Sequence, residues 1–310
     1  MEPTLFNEMN PTQRSFIDPH LRMGTCSWKY DSWKGLVYDP AKKYAPMDYL
    51  ADYARHYLTV EIDEWFWSLF PTGIKLPNRQ TVQSYADSVP DDFLFTVKAP
   101  NAVTLTHFYA KQPAAYKNIA NLPNPDFLSP DLLKRFIDLL TPMHDKLGAI
   151  IFQFEYLNKQ KIPSLSRFLD KLSAFIEQAP SGFKYAVEIR NPRYFTTAYN
   201  DFLSQYSLSP VLIDGYYMPP LSEVIQTLDI STGKTLIIRL QGPDRQGIEK
   251  KTHKQWDKIV SPQDAGLDVV SGIVKEQLKE GRNVIVSVNN HYEGCAPLTI
   301  QRLSEKMTQK

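Results

Sequence analysis

Eight short apolar segments are spread along the whole chain, and each has the length of one buried strand. They are residues 21–27, 59–62, 93–97, 147–152, 185–189, 210–213, 235–240 and 283–288. Between them, apolar residues recur every three or four positions, which is the helical spacing of a βαβ chain. Eight strands that alternate with helices predict an α/β fold, a single (β/α)8 barrel of the triosephosphate isomerase (TIM) type.

The length of 310 residues fits one such barrel with insertions. We predict an N-terminal extension at 1–20 and the barrel at 21–305. Residues 101–130 follow the third strand and contain four prolines. Because this segment is too long for a simple connection, we expect a loop excursion there and regard it as a candidate lid. Helices are predicted at 49–57, 81–88, 132–140, 165–175, 198–206 and 269–280.

Composition narrows the classes of partner. The formal net charge is +1, so the overall charge does not indicate binding to nucleic acid or to an anionic membrane. Two cysteines, Cys26 and Cys295, do not form a disulfide framework, and we expect both to be reduced. No apolar stretch approaches the roughly 18 residues of a membrane span, and residues 1–10 lack a signal-peptide pattern. We therefore expect a cytoplasmic protein without a membrane partner.

Polar side chains stand at the end of nearly every predicted strand. In a (β/α)8 barrel the carboxyl ends of the strands and the loops after them form the active-site face. A site is therefore predicted before any reaction can be named. The polar residues at these ends are Glu61, Asp63, Lys98, Gln153, Glu188, Arg190, Asp214, Arg239, Asn289 and Asn290.

Several short motifs occur in a fixed order along the chain. The first reads Gly-Thr-Cys-Ser-Trp at 24–28, and others lie at 60–63, 95–100, 106–107, 147–153, 186–192, 238–242, 289–290 and 296–297. Together they resemble the DUF72 family, also called YecE-like, over about residues 21–303. The resemblance implies a TIM-type barrel of uncharacterised function. The chain departs from the usual family residues at Cys26, Ser27, Asp63, 154–156, Gln241 and His291.

Glu61 and Glu188 are the first candidates for catalysis, because paired carboxylates can divide acid and base roles. A separation of about 5 Å suits a retaining glycosidase and roughly 6.5 to 9.5 Å an inverting one. Alternatively, each carboxylate forms an ion pair with Lys98, Arg190 or Arg239 and shapes the barrel mouth. We take Glu188 as general base or acid and Glu61 as its partner.

Three cations at strand ends suggest that the ligand is an anion. Lys98, Arg190 and Arg239 could converge on a phosphate or carboxylate, or neutralise the neighbouring acids in a buried network. Lys98 is also assigned to the catalytic set, where it stabilises negative charge. A Schiff base at Lys98 is conceivable in a desolvated pocket, but no sequence feature singles that chemistry out.

Aromatic and amide side chains complete the predicted site. Trp28 and Phe66 are the favoured walls, because rings at a barrel mouth can stack on a sugar or a base. A divalent metal held by Glu61, Glu188, Asp214 and a histidine is an alternative, but the spacing matches no compact metal motif, so we assign no metal ligands. The cofactor is left unknown. The substrate-binding set is Trp28, Asp63, Phe66, His107, Gln153, Arg190, Asn191, Asp214, Arg239, Gln241, Asn289 and Asn290.

These residues favour an enzyme that acts on a sugar, a sugar phosphate or a nucleotide-like molecule by carboxylate acid/base chemistry. A non-catalytic module that binds a ligand or polyanion at the same mouth is one alternative. Cleavage of a phosphodiester in nucleic acid is another, and it rests on analogy with other barrels alone.

Overall fold

A computed structural model describes residues 18–215 and 217–308 of the chain. Each of the eight predicted segments is a strand in it. Most of the predicted extension, residues 1–17, lies outside the described residues, so the domain division stays a prediction. The barrel strands are β1 Leu21–Cys26, β2 Thr59–Ile62, β3 Leu94–Lys98, β4 Leu147–Gln153, β5 Tyr185–Glu188, β6 Ser209–Gly215, β7 Thr235–Gly242 and β8 Asn283–Val288, and Leu69–Phe70 pairs with Gly73–Ile74 in a separate two-stranded sheet.

The eight strands close into a barrel in the order β1-β8-β7-β6-β5-β4-β3-β2. All of these neighbours run parallel, and β1 closes the barrel by pairing Leu21 with Val284 of β8. The predicted α/β barrel is therefore confirmed. Since every strand points the same way, all carboxyl ends meet at one mouth.

Helices connect the strands, and all six predicted helices are present. Sequence reading did not predict α3, α7, α8 or α10. In α4, Ser129 caps the first turn by accepting a hydrogen bond from the Leu132 amide at 3.2 Å, with Pro130 at the first helical position. The helices are α1 Asp48–Tyr53, α2 Arg79–Asp87, α3 Asn101–Thr104, α4 Pro130–Leu139, α5 Leu165–Ile176, α6 Thr197–Gln205, α7 Leu221–Val224, α8 Arg245–Thr252, α9 Asp264–Lys279 and α10 Ala296–Thr308.

The barrel interior changes from apolar to charged towards the mouth. Successive side chains of a strand alternate between its two faces, so residues two apart share a face. A small apolar cluster inside the barrel is separate from the main core between strands and helices, and we call it the interior plug. Two positions after three of its members, on the same face of each strand, lie Gln153, Glu188 and Arg239. The plug consists of Ala149, Ile151, Ala186, Val211, Ile213 and Ile237.

The two arms of the excursion at 101–130 are bonded to each other near its base. The Asn124 side-chain amide donates hydrogen bonds to the carbonyl oxygens of Ala102 and Leu105, both at 2.7 Å. His107 and Pro123 form an antiparallel bridge between its two arms. Tyr109, two residues after this bridge, lies at the barrel mouth beside Trp67. Its role as a lid stays a prediction.

Candidate functional site

The floor of the barrel mouth is a buried ion-pair network centred on Arg239. Its Nε and Nη2 donate to the two carboxylate oxygens of Glu61 at 2.7 and 2.6 Å. Its Nη1 donates to Glu188 and, at 3.0 Å, to Gln153. Since these partners come from β2, β4 and β5, none of which adjoins β7, the guanidinium must lie inside the barrel.

This network holds Glu188 and Arg239 in their charged forms. Burial alone would make Glu188 harder to ionise, but the guanidinium groups of Arg239 and Arg190 outweigh it and keep the Glu188 pKa below its usual value. Arg190 binds the outer oxygen of Glu188, with Nη2 at 2.9 Å. Glu61 and Glu188 thus both face cations, which is the ion-pair arrangement that the sequence left open as the alternative to acid/base roles.

A cavity of about 520 Å³ opens above this floor at the carboxyl ends of the strands. It brings together eight of the fifteen candidate residues, while Glu61 and Glu188 lie beneath it. The eight that line it are Asp63, Phe66, Lys98, Gln153, Arg190, Arg239, Gln241 and Asn289.

Lys98 also lines this cavity, and it forms no ion pair with the carboxylates of the floor. Its side chain is buried, and Nζ lies 4.5 Å from the centroid of the Phe66 ring. Among the described residues, no carboxylate oxygen lies within 4.0 Å of Nζ. Burial and the nearby Arg239 charge lower the Lys98 pKa, although Glu61, Asp63 and Glu188 oppose the shift.

Asp63 is the matching acid in the same cavity. It is the first residue after β2, two positions beyond Glu61, and its side chain lines the cavity. No cation in the described parts of the chain comes within 4.0 Å of its carboxylate, and the side chain does not cap the short helix that follows. Burial raises the Asp63 pKa, the Lys98 charge lowers it, and burial outweighs that effect.

Exposed aromatic rings surround the opening of the cavity. Trp67, Tyr109 and Tyr156 are 54%, 39% and 60% exposed. The Trp67 and Tyr109 rings lie 6.2 Å apart, so the loop after β2 contacts the excursion at this rim. Rings in such positions can pack against the flat face of a ligand.

Sequence reading did not assign several lining residues to the site. Tyr30, Trp67 and Tyr109 follow predicted strands, and the sequence shows this signal, but the predicted substrate-binding set does not include them. Glu155, Tyr156 and Arg245 lie in loops whose path the strand pattern does not determine. His291 reaches the rim because Gly242 allows a close approach: Gly242 has φ +82°, and a Cβ there would stand 2.2 Å from the His291 carbonyl oxygen.

Besides Glu61 and Glu188, five candidate residues do not line this cavity. Trp28 packs edge-on against Tyr85, with centroids 5.1 Å apart, and Asn191 bonds to the Leu157 backbone. Asp214 accepts a hydrogen bond from Tyr292 at 2.7 Å. Asn290 accepts from the Ala296 amide at 2.9 Å. His107 lines an adjoining cavity of about 560 Å³, which shares Tyr109 and Glu155 with the first.

Two properties of the described residues bear on metals and membranes. No three histidine, cysteine, aspartate or glutamate side chains among them are grouped as ligands of one metal ion. In the same part of the chain, no helix combines the length and the apolar character needed to cross a membrane.

Comparison with known proteins places this architecture among relatives. The family model described as "Protein of unknown function DUF72" matches residues 22–310. The UPF0759 protein YecE of Escherichia coli K12 is 23% identical, covering 76% of this chain and 78% of that protein. The YecE protein of Escherichia coli O157:H7 matches to the same extent.

Two solved structures share the fold. A DUF72 family protein from Thermotoga maritima MSB8 superposes with a TM-score of 0.64 at 18% identity, covering 93% of this chain and 99% of that one. A DUF72 family protein from Enterococcus faecalis V583 gives 0.62 at 17% identity, covering 94% and 96%. At these identities the likeness concerns the fold.

Proposed function

This chain belongs to the DUF72 family, and we propose that it is a cytoplasmic enzyme acting on a small anionic molecule with a ring, a sugar phosphate or a nucleotide. In this proposal Asp63 and Lys98 move protons, Arg239 stabilises negative charge that develops on the substrate, and the rim aromatics receive the ring.

One observation carries the proposal. Asp63 and Lys98 face the same cavity without ion-pair partners among the described residues, whereas the acids and the arginine below them are fully paired. Burial shifts their pKa values towards each other, upward for Asp63 and downward for Lys98. Titratable groups with opposite shifts in one cleft are a common feature of acid/base catalysts.

The carboxylates of the floor take a different part from the one suggested by the sequence. In the proposal Glu61 and Glu188 position Arg239 and keep it charged, and its Nη1 is oriented before any ligand arrives. Gln153, Gln241 and Asn289 line the cavity with amides that both donate and accept, and these suit sugar hydroxyls or base edges.

The test is turnover of a defined mixture of sugar phosphates and nucleotides, followed by phosphorus NMR. We expect the wild-type protein to convert at least one component and Asp63→Asn to convert none while still binding it. Asp138→Asn, which changes an exposed carboxylate on α4 away from the cavity, is the control for a generic loss of charge. Absence of both binding and turnover across the mixture would refute the proposal.

The paired floor also favours a second candidate, a binding module without catalysis. Glu61 and Glu188 both form ion pairs with Arg239, so neither carboxylate is free to act as a general acid or base. Turnover distinguishes the candidates, because a module would bind a component of the mixture tightly in calorimetry and leave it unchanged in the phosphorus NMR assay.

A further inference from the structure

Lys98 has the surroundings of a nucleophile as well as those of a charge. A lysine amine attacks carbon only when it is neutral, and desolvation beside another cation favours the neutral form. Both conditions are present: the side chain is buried, and Arg239 is near enough to act on it. Among the described residues, Lys98 makes a cation–π contact with Phe66, with Nζ 4.5 Å from the ring centroid.

We propose that Lys98 forms a Schiff base with the aldehyde or ketone of an anionic sugar derivative bound in the cavity above Arg239. The inference rests on the proposed function, because the same cavity must receive the anion, but it adds a covalent step. It also narrows the substrate class to molecules that present a carbonyl group.

The step balances with the groups that line the cavity. The neutral Nζ attacks the carbonyl carbon, a C–N bond forms, and the carbonyl π pair becomes an alkoxide that takes the proton released by nitrogen. Asp63, as the carboxylic acid, then protonates the hydroxyl group, which leaves as water while the nitrogen lone pair forms the C=N bond. The products are a protonated imine, water and the Asp63 carboxylate, with no net oxidation.

Lys29 provides an internal comparison. Its Nζ also lies over an aromatic ring, 5.0 Å from the Trp28 centroid, but it bonds to the Tyr85 hydroxyl at 2.9 Å and lies 3.8 Å from Glu64. It is outside the cavity and exposed. A ring alone therefore does not distinguish the two lysines, and burial in the cavity without a polar partner does.

The experiment uses pyridoxal 5′-phosphate, an aromatic aldehyde with a phosphate, at less than one equivalent per protein. Sodium borohydride reduces the imine by delivering hydride to carbon while water protonates nitrogen, and peptide mass mapping locates the label. A lowered pKa raises the neutral fraction of an amine at a given pH. We expect Lys98 to be labelled faster than Lys29, and AMP, which lacks a carbonyl, to slow this labelling.

Lys98→Arg keeps the charge over Phe66 and should lose the dominant label, whereas Lys29→Met should retain it. Labelling of Lys98 no faster than Lys29 would overturn the inference. If AMP binds in calorimetry but Lys98 is not labelled preferentially, the Schiff base fails and the proposed function stands. If Lys98 is labelled preferentially and AMP neither binds nor protects, the Schiff base stands and the proposed anionic ligand class fails.

Discussion

Replacing Arg239 by methionine is expected to lower the free energy of unfolding by roughly 3 to 5 kcal/mol at neutral pH. The side chain is buried and donates four hydrogen bonds, two to Glu61, one to Glu188 and one to Gln153. Glu61 has no second ion pair among the described residues, whereas Glu188 keeps Arg190 at 2.9 Å. Most of the loss therefore comes from one buried carboxylate left without its cation.

The pH dependence of this loss has a definite sign. In the wild type the Glu188 pKa is depressed, so its stabilisation is complete above the unfolded value of about 4.3 and disappears as the pH falls below it. In the variant, a buried carboxylate without a partner is easier to protonate, and its cost decreases as the pH falls. The difference between the two proteins should thus narrow between pH 7 and pH 5.

Urea unfolding followed by circular dichroism at both pH values measures the difference. Lys134→Met is the control, since it removes an exposed pair with Asp138 and should cost less than about 1 kcal/mol. The reasoning would be refuted if Arg239→Met unfolded within about 1 kcal/mol of the wild type at pH 7, or if the difference widened on acidification.

Three further predictions concern the mouth. Gly242→Ala should destabilise the protein more than Gly281→Ala in thermal unfolding: both positions have positive φ, but only at Gly242 does a new Cβ meet backbone, so equal losses would contradict the close approach. Trp67→Ala should weaken AMP binding by about 1 to 3 kcal/mol in calorimetry and leave ribose 5-phosphate nearly unaffected, if the ring stacks on a base. The affinity for AMP should fall as the pH rises, and the fall should begin below the ordinary lysine pKa of about 10.4, because the Lys98 pKa is lowered. Lys98→Arg should remove that fall, and an unchanged pH profile in this variant would show that Lys98 does not bind the anion.

The strands could be predicted because strands buried on both faces read as continuous apolar runs. The predicted bounds of the barrel strands differ from those in the structure by two residues at most, and the bounds 59–62 and 283–288 match the structure. Helices α3 and α7 have only four residues each, and α8 is largely polar, so none shows a clear periodicity. In α10 the large buried apolar residues are few, mainly Ile300 and Leu303.

The site could be predicted only to the level of strand ends. Proximity to a strand end does not tell on which side a side chain lies, so Trp28 was expected at the mouth and packs against Tyr85 instead. Sequence also cannot assign partners. Glu61 and Asp63 stand two residues apart, yet the first is paired and the second has no ion pair among the described residues. Glu61 bonds to Arg239 in the floor and Asp63 lines the cavity, and this difference is visible only in the three-dimensional structure.

The interior plug and the Arg239 network have a consequence for how the protein could be altered. The plug fills the barrel below the charges, and Arg239 is restrained by three side chains from three strands, so the electric field at the cavity floor is set before a ligand enters. The rings at the rim belong to loops that make no hydrogen bond to Arg239 among the described residues. Loop residues such as Tyr109 and Tyr156 can therefore be exchanged to change what the cavity admits, while the electrostatics of the cavity floor stay constant.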